Sequence, residues 1–137
     1  MGTTIRPELS GRHKYWIERH RYYELKHFCL QYPKWKKAYT ALDGFSKQTY
    51  EETILSNIPS DPTTRCVEAK AFYAEKIEII EQAAVDTDSA LSSYILKGVT
   101  EGVSYDYLKV RLNIPCCKDI YYKLYRRFFW LLNKTRN

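Results

Sequence analysis

Apolar side chains recur at three- and four-residue steps along most of this chain, a period typical of α-helices. The clearest stripe follows Asp61-Pro62, where the carboxylate suits a helix N-cap and the proline suits the first helical position. We expect this helix to end near Val85, with one apolar face formed by Cys66, Ala69, Tyr73, Ile77, Ile80 and Ala84. That face fits either the first helix of the chain or a second copy of the protein, and packing within the chain is the favoured interpretation.

Two helices are expected before this one. The first covers residues 10–32 and is interrupted by Pro33, and the second covers residues 34–42 and ends near Gly44, which suits a left-handed C-terminal position. Residues 45–61 mix Ser, Thr, Asn and Pro, so we expect them to be the least regular part of the chain. Every predicted element is helical, and the pattern therefore predicts an all-α fold.

Histidines recur at seven-residue steps in the first helix, at positions 13, 20 and 27. An aromatic and aliphatic row runs beside them, formed by Trp16, Tyr23 and Leu30. The two rows together resemble the seam of a coiled coil. The helical rise separates successive histidines by about 10 Å, which is too far for one metal ion to bind two of them. We therefore expect half-buried histidines beside aromatic rings and no metal row.

Residues 88–137 predict three more helices. The first is predicted by the apolar residues Ala90, Leu91, Tyr94, Ile95 and Leu96, and Gly98 and Gly102 are expected to bracket the loop that follows it. Ser104 suits the N-cap of the next helix, whose Leu108 and Leu112 we expect to face inward. The segment thus predicts two short helices that support a third.

A tight turn is expected between the last two helices. Asn113 tolerates the left-handed conformation at a helix end, Ile114 can fold back on the preceding turn, and Pro115 cannot continue the helix. The final helix should then begin near Cys116 or Cys117.

The final helix has two unlike sides. At about 100° per residue, its apolar face comprises Ile120, Tyr121, Leu124, Phe128 and Leu131. The opposite side of its first half carries Lys118, Tyr122, Tyr125 and Arg126. From Phe128 onward the helix is apolar all round, so we expect the rest of the chain or a partner subunit to cover it. A helix with one free basic and aromatic side fits the major groove of duplex DNA.

The net charge of +6 is distributed unevenly. Residues 1–58 have a net charge of +4, residues 59–88 of −4 and residues 89–137 of +6. Basic ends around an acidic centre indicate an anionic partner for the ends and self-association for the centre. Unequally charged solvated faces explain the same distribution equally well.

Composition argues against several classes of protein. No run of about 18 apolar residues exists, and the N-terminus lacks the apolar core of a signal peptide, so we expect a cytoplasmic protein without a membrane partner. The cysteines, at positions 29, 66, 116 and 117, lack the spacing of a zinc site, and we expect reduced, mostly buried thiols. No Gly-rich phosphate loop and no catalytic His, Cys and carboxylate spacing is visible. We expect no enzymatic activity, no metal and no cofactor.

Several segments together resemble a known family. They are YYELKHFCLQYP (22–33), Asp61-Pro62-Thr63, KIEIIEQA (76–83), YILKGVTEGVSYDYLKVRLNIPC (94–116) and YRRFFWLLNK (125–134). These segments resemble phage and mobile-element transcriptional regulators of the RinA/ArpU type from Gram-positive bacteria, most firmly over residues 94–134. The resemblance implies a DNA-binding activator in a bacterial host cell, with a C-terminal helix-turn-helix similar to the promoter-reading region of sigma factors. It also implies host RNA polymerase as a partner, and carries the recognition segment over to residues 118–127.

Two hypotheses of function follow. The leading one is a sequence-specific regulator that reads double-stranded DNA, with a helical N-terminal and central region (1–87) that we expect to form a homodimer and a helix-turn-helix region (88–137). The major groove would be read by Lys118, Tyr122, Tyr125 and Arg126, and phosphates would be contacted by Lys109, Arg111, Lys123 and the basic N-terminal region. The alternative is a non-enzymatic phage accessory factor that binds another protein through an aromatic helical surface.

Overall fold

The computed structural model describes residues 13–43 and 61–136, and these residues form helices without any β-strand. Helix α1 comprises Arg19–Leu30, α2 residues 32–43, α3 Asp61–Thr87, α4 Ser92–Glu101, α5 Tyr105–Leu112 and α6 Lys118–Thr135. The predicted all-α class is confirmed. Gly44 and residues 45–60 of the predicted irregular stretch lie outside the described residues.

The described helices group into two compact units. One contains residues 13–31 and 79–136, and the other contains residues 32–43 and 61–78. In the first unit, α1 contacts α4 and α6, while α4, α5 and α6 contact one another. Helix α1 therefore packs with the C-terminal helices, an association that the predicted division at residue 87 does not include.

Helix α1 begins at Arg19 because Glu18 caps it. The Glu18 carboxylate accepts hydrogen bonds from the backbone N–H groups of His20 at 3.0 Å and Arg21 at 3.2 Å. These bonds, led by the one from His20, lower the pKa of Glu18. Residues 13–18 precede the helix, so the predicted start at residue 10 is wrong.

The later start changes which side of α1 is buried. Its core face consists of Tyr22, Leu25, Phe28 and Cys29. The two predicted seam rows do not form that face, because Trp16 lies before the helix and Leu30 is exposed at its end. The three histidines are exposed, at positions 13, 20 and 27, which corrects the expectation that they are half-buried.

The break between α1 and α2 falls at Gln31 and not at Pro33. Gln31 is the C-cap of α1, and its backbone N–H donates to the carbonyls of the preceding turn. Pro33 is the second residue of α2. A proline in the first turn lacks only an N–H that has no partner within the helix, so it is tolerated there.

Helix α3 has the predicted apolar stripe. Cys66, Ile77, Ile80 and Ala84 are buried, and Ala69 and Tyr73 are half-buried. The helix ends at Thr87, two residues beyond the predicted Val85. The chain then turns because the Asp88 carboxylate accepts from the N–H groups of Ala90 at 2.9 Å and Leu91 at 3.0 Å.

The second unit joins α2 to the first part of α3. The Lys70 ammonium lies 2.7 Å from the Asp43 carboxylate, and the Cys66 thiol donates to the carbonyl of Leu42 at 3.4 Å. Trp35 is buried in this unit, with the Lys76 ammonium 5.9 Å from its ring centroid.

The core of the first unit is largely aromatic. Its fully buried large side chains include Tyr22, Ile95, Leu108, Tyr121, Phe128, Phe129 and Leu132. The ring of Phe129 lies edge-on to Tyr22 at 5.1 Å and to Tyr125 at 5.0 Å. Each such contact contributes about 0.5–1.5 kcal/mol beyond the area it buries. These rings hold α1 against α6.

Helix α4 contains Gly98, and the prediction that Gly98 borders a loop is wrong. The Tyr121 hydroxyl of α6 occupies the space that a Cβ at position 98 would need. This close approach explains a glycine inside a helix, where it costs about 1 kcal/mol relative to alanine. The helix ends at Gly102, which has the left-handed φ of 69°.

Candidate nucleic-acid interface

The turn between α5 and α6 forms much as the sequence predicts. Ser104 caps α5 by accepting from the N–H of Tyr107 at 3.2 Å, and Asn113 ends it with the left-handed φ of 52°. The fully buried Ile114 donates its N–H to the carbonyl of Leu108 at 3.3 Å. This geometry turns the chain sharply before α6. The predicted inward position of Leu112 is wrong, because this side chain at the last residue of α5 is 39% exposed.

Two tyrosines tie α6 to α5. The Tyr105 hydroxyl donates to the carbonyl of Cys116 at 2.6 Å, just before the N-cap residue Cys117. The Tyr122 hydroxyl accepts from the backbone N–H of Tyr105 at 3.3 Å. This N–H belongs to the first residue of α5 and has no acceptor within the helix. Tyr122, predicted to read DNA, is half-buried and caps a neighbouring helix.

The predicted position of Tyr125 on the solvent side of α6 is wrong. Tyr125 is buried, and its hydroxyl lies 2.7 Å from the hydroxyl of Tyr22. Burial raises its pKa well above the ordinary value, since the interior disfavours a phenolate. A side chain fixed in the core in this way is not available to a DNA base.

The other predicted contacts lie at or near the surface. Lys118 and Lys123 of α6 and Lys109 and Arg111 of α5 are exposed. The ammonium of Lys109 lies 3.5 Å from the carbonyl of Ile114 in the turn. Arg126 is half-buried, and its Nε is a buried donor without a hydrogen-bond partner among the described residues.

The exposed side of α6 is rotated from the predicted one by somewhat less than one residue step of about 100°. The buried side consists of Tyr121, Tyr125, Phe128, Phe129 and Leu132. Two of the predicted apolar positions, Leu124 and Leu131, are only half-buried, and Ile120 is 50% exposed. The outward row of α6 therefore comprises Asp119, Lys123, Arg127, Trp130 and Lys134.

Arg127 lies within the recognition segment 118–127 but is not among the predicted contacts, and it is half-buried. Its guanidinium lies 3.4 Å from the Tyr15 hydroxyl and, through its other terminal nitrogen, 3.4 Å from the carbonyl of Asp86. A helical wheel that counts Phe129 and Leu132 as core would have placed Arg127 on the outward row.

Tyr15, in the segment before α1, packs against the outward row of α6. Its ring is buried against Trp130, with the ring centroids 5.4 Å apart. The Lys14 ammonium lies 5.4 Å from the centre of the Tyr15 ring, and the Lys134 ammonium lies 3.6 Å from that of Trp130. The hydrogen bond from Arg127 is the main cause of a lowered Tyr15 pKa, and the charges of Lys14, Arg127 and Lys123 act in the same direction.

Metal-holding clusters and membrane-spanning helices are absent from the described ranges. No three His, Cys, Asp or Glu side chains in 13–43 and 61–136 lie together in a way that could hold a metal ion. Over the same ranges, no helix has both the length and the apolar character to cross a bilayer. The thiols of Cys29 and Cys66 are buried, that of Cys116 is half-buried and that of Cys117 is exposed.

Compared with known protein families, curated proteins and solved structures, the chain matches none.

Proposed function

We propose that this protein is a sequence-specific DNA-binding regulator that inserts α6 into the major groove. The observation that carries the proposal is the outward row of α6, because Lys123 and Lys134 are exposed there and Arg127 is half-buried, while the opposite side is packed as core. Lysine and arginine on one exposed helix face can pair with phosphates and with guanine edges. The proposed contacts are Lys118, Lys123, Arg126 and Arg127 from α6, and Lys109 and Arg111 from α5.

The surroundings of α6 support this role. Asn113 and Ile114 fix the chain turn that precedes α6. Hydrogen bonds of Tyr105 and Tyr122 hold the start of α6 against α5. A reading helix must be held within a fraction of an ångström of its productive position. The resemblance to phage and mobile-element regulators adds the expectation that the bound sequence lies near a promoter of such an element, with a homodimer and host RNA polymerase as further partners.

The test is a selection from a random duplex library, followed by fluorescence anisotropy over a salt series. The selected duplex should bind more tightly than a scrambled one, and log affinity should fall linearly with log salt. Lys118→Gln should weaken binding of the selected duplex by about 1–3 kcal/mol if Lys118 contacts a base.

Lys97→Gln is the matched control. Lys97 lies in α4, and its ammonium pairs with the Glu101 carboxylate at 3.0 Å, so the same charge change removes an already neutralised cation. Its duplex affinity should equal that of the wild type. If no sequence is enriched, specific reading is disproved, and if no duplex binds even at low salt, DNA binding itself is disproved.

A protein-binding accessory role is the second candidate, and the exposed apolar side of α5 favours it. Val110 is 81% exposed, and Tyr107, one turn earlier, is 40% exposed. Large apolar side chains that share an exposed helix face are typical of protein interfaces. Absence of duplex binding, together with loss of a protein complex in Val110→Asp, would establish this function instead.

A further inference from the structure

Two cationic side chains approach the Tyr15 phenol, and a third lies one helical turn away on α6. Lys123 and Arg127 lie one turn apart on α6, on the same side of the helix. Lys14 approaches from the segment before α1, with its ammonium 5.4 Å from the Tyr15 ring centre. Arg127 donates to the Tyr15 hydroxyl. Two parts of the chain that are far apart in sequence therefore bring their charges together.

The centre of this cluster is fixed in position. The Tyr15 ring is buried against Trp130, and the carbonyl of Asp86 accepts a second hydrogen bond from Arg127. Two of the participating groups, Tyr15 and Arg127, are thus fixed by packing or by hydrogen bonds before any ligand binds. Preorganised donors lose less conformational entropy on binding than free side chains do.

The charges at the cluster are only partly offset. The nearest acidic residue on the same row, Asp119, lies one helical turn before Lys123. The Asp86 carboxylate accepts a hydrogen bond from the Gln82 side chain at 2.8 Å, and only the Asp86 carbonyl contacts Arg127. The two charged groups that approach Tyr15, Arg127 at its hydroxyl and Lys14 at its ring, are both cationic. A site with an excess of positive charge and several N–H donors attracts an anion with several oxygens.

We propose that Lys14 and Arg127, which approach Tyr15, and Lys123, one helical turn before Arg127, form a binding site for a phosphate group. A guanidinium pairs with two phosphate oxygens in a planar geometry, and ammonium groups add charge without a fixed direction. The proposal rests on the proposed function for the source of the phosphate, which is one phosphodiester of duplex DNA bound by α6. The segment before α1 then holds the DNA backbone while the start of α6 enters the groove.

Two measurements on the whole protein test the site independently of each other. The first follows the guanidinium signals of Arg127 by ¹⁵N NMR during titration with inorganic phosphate, against chloride at equal ionic strength. The second measures duplex affinity over a salt series for wild type, Lys14→Gln, Lys123→Gln and Arg127→Gln, with Lys97→Gln as the matched control. Circular dichroism of each variant checks its fold. Because Lys123 is exposed, Lys123→Gln is expected to disturb the fold little.

The proposal expects saturable shifts of the Arg127 signals with phosphate and none with chloride. It also expects each site variant to weaken duplex binding a few-fold, equally for all sequences, and to reduce the salt slope by about one. Lys97→Gln should leave both quantities unchanged.

The outcomes separate the site from the proposed function. Wild-type duplex affinity and salt slope in folded Lys123→Gln and Arg127→Gln, without phosphate-dependent shifts, would overturn the site and leave DNA binding intact. Saturable phosphate binding without duplex binding by the wild type would support the site and overturn the proposed function. Absence of both phosphate and duplex binding would overturn the two together.

Discussion

The hydroxyl groups of Tyr22 in α1 and Tyr125 in α6 lie 2.7 Å apart inside the core of the first unit. Both side chains are buried, and the ring of Phe129 lies edge-on to each of them. A hydrogen bond between two buried hydroxyls satisfies groups that would otherwise lose their contact with water. This bond joins helices that lie 103 positions apart in sequence, and it gives Tyr125 a structural role.

Tyr125→Phe should destabilise the protein by about 1–3 kcal/mol, because it removes this bond and keeps the ring. The free energy of unfolding from urea denaturation measures the change. Duplex affinity of the folded variant should match that of the wild type, since Tyr125 does not reach the surface. A large loss of affinity without loss of stability would contradict the structural role.

A double-mutant cycle measures the interaction between the hydroxyls of Tyr22 and Tyr125. Tyr22→Phe with Tyr125→Phe should cost less than the sum of the two single changes, because the bond is lost only once. Strictly additive costs would show that the two hydroxyls act independently.

Alkaline pH should destabilise the fold through the same tyrosine. Burial raises the pKa of Tyr125 in the folded protein above its ordinary value of 10.0, so the folded state holds this proton more tightly than the unfolded state does. The resulting contribution to stability is fully present below pH 10 and decreases as the pH rises above it, by at most about 1.4 kcal/mol per pH unit for one group. Urea denaturation at pH about 8 and about 11 should show the decrease.

Tyr125→Phe supplies the control for that measurement. Its stability should decrease less between the two pH values, and the difference from wild type isolates the contribution of Tyr125 from those of the other tyrosines. Equal decreases in the two proteins would contradict the assignment.

Local signals in the sequence are sufficient for much of the fold. Ser104, Asn113 and Ile114 act within a few residues of themselves, and the cap, the left-handed helix end and the folded-back turn all form as predicted. The apolar stripe of α3 can also be predicted from the sequence, because it extends over many turns of one helix.

The candidate site was harder to predict because its side chains depend on distant contacts. Tyrosine is found both in protein cores and at solvent-exposed surfaces. Tyr125 is buried because it packs against α1, where its hydroxyl meets that of Tyr22. Gly98 suggests a loop unless the approach of Tyr121 from α6 is known. Arg127 likewise gains its partners from residues that precede α1 and end α3. Such pairings cannot be deduced from helical periodicity.

Gly98→Ala should destabilise the protein by about 1–3 kcal/mol, although alanine is ordinarily the better helix former. The added Cβ would meet the Tyr121 hydroxyl, and the fully buried Tyr121 ring has little room to move. Thermal and urea denaturation measure the effect.

Tyr121→Phe should restore much of the lost stability. The Tyr121 hydroxyl is a buried group without a hydrogen-bond partner among the described residues, so its removal alone should cost little. Removal of that oxygen also frees the space that the alanine needs. If Tyr121→Phe fails to improve Gly98→Ala, the two residues are not in the close contact described above.

The conformation of Asn113 gives a prediction for the turn before α6. Its φ of 52° is left-handed, which costs about 1–2 kcal/mol for an ordinary side chain and little for glycine or asparagine. Asn113→Ala should therefore lower the free energy of unfolding by about 1 kcal/mol, whereas Asn113→Gly should stay within a few tenths of the wild type. Arg111→Ala, an exposed position inside α5, controls for nearby substitution and should change stability by less than about 0.5 kcal/mol. Equal stability of the alanine and glycine variants at position 113 would mean that the turn does not require a left-handed residue, and the sharp entry into α6 would then need another cause.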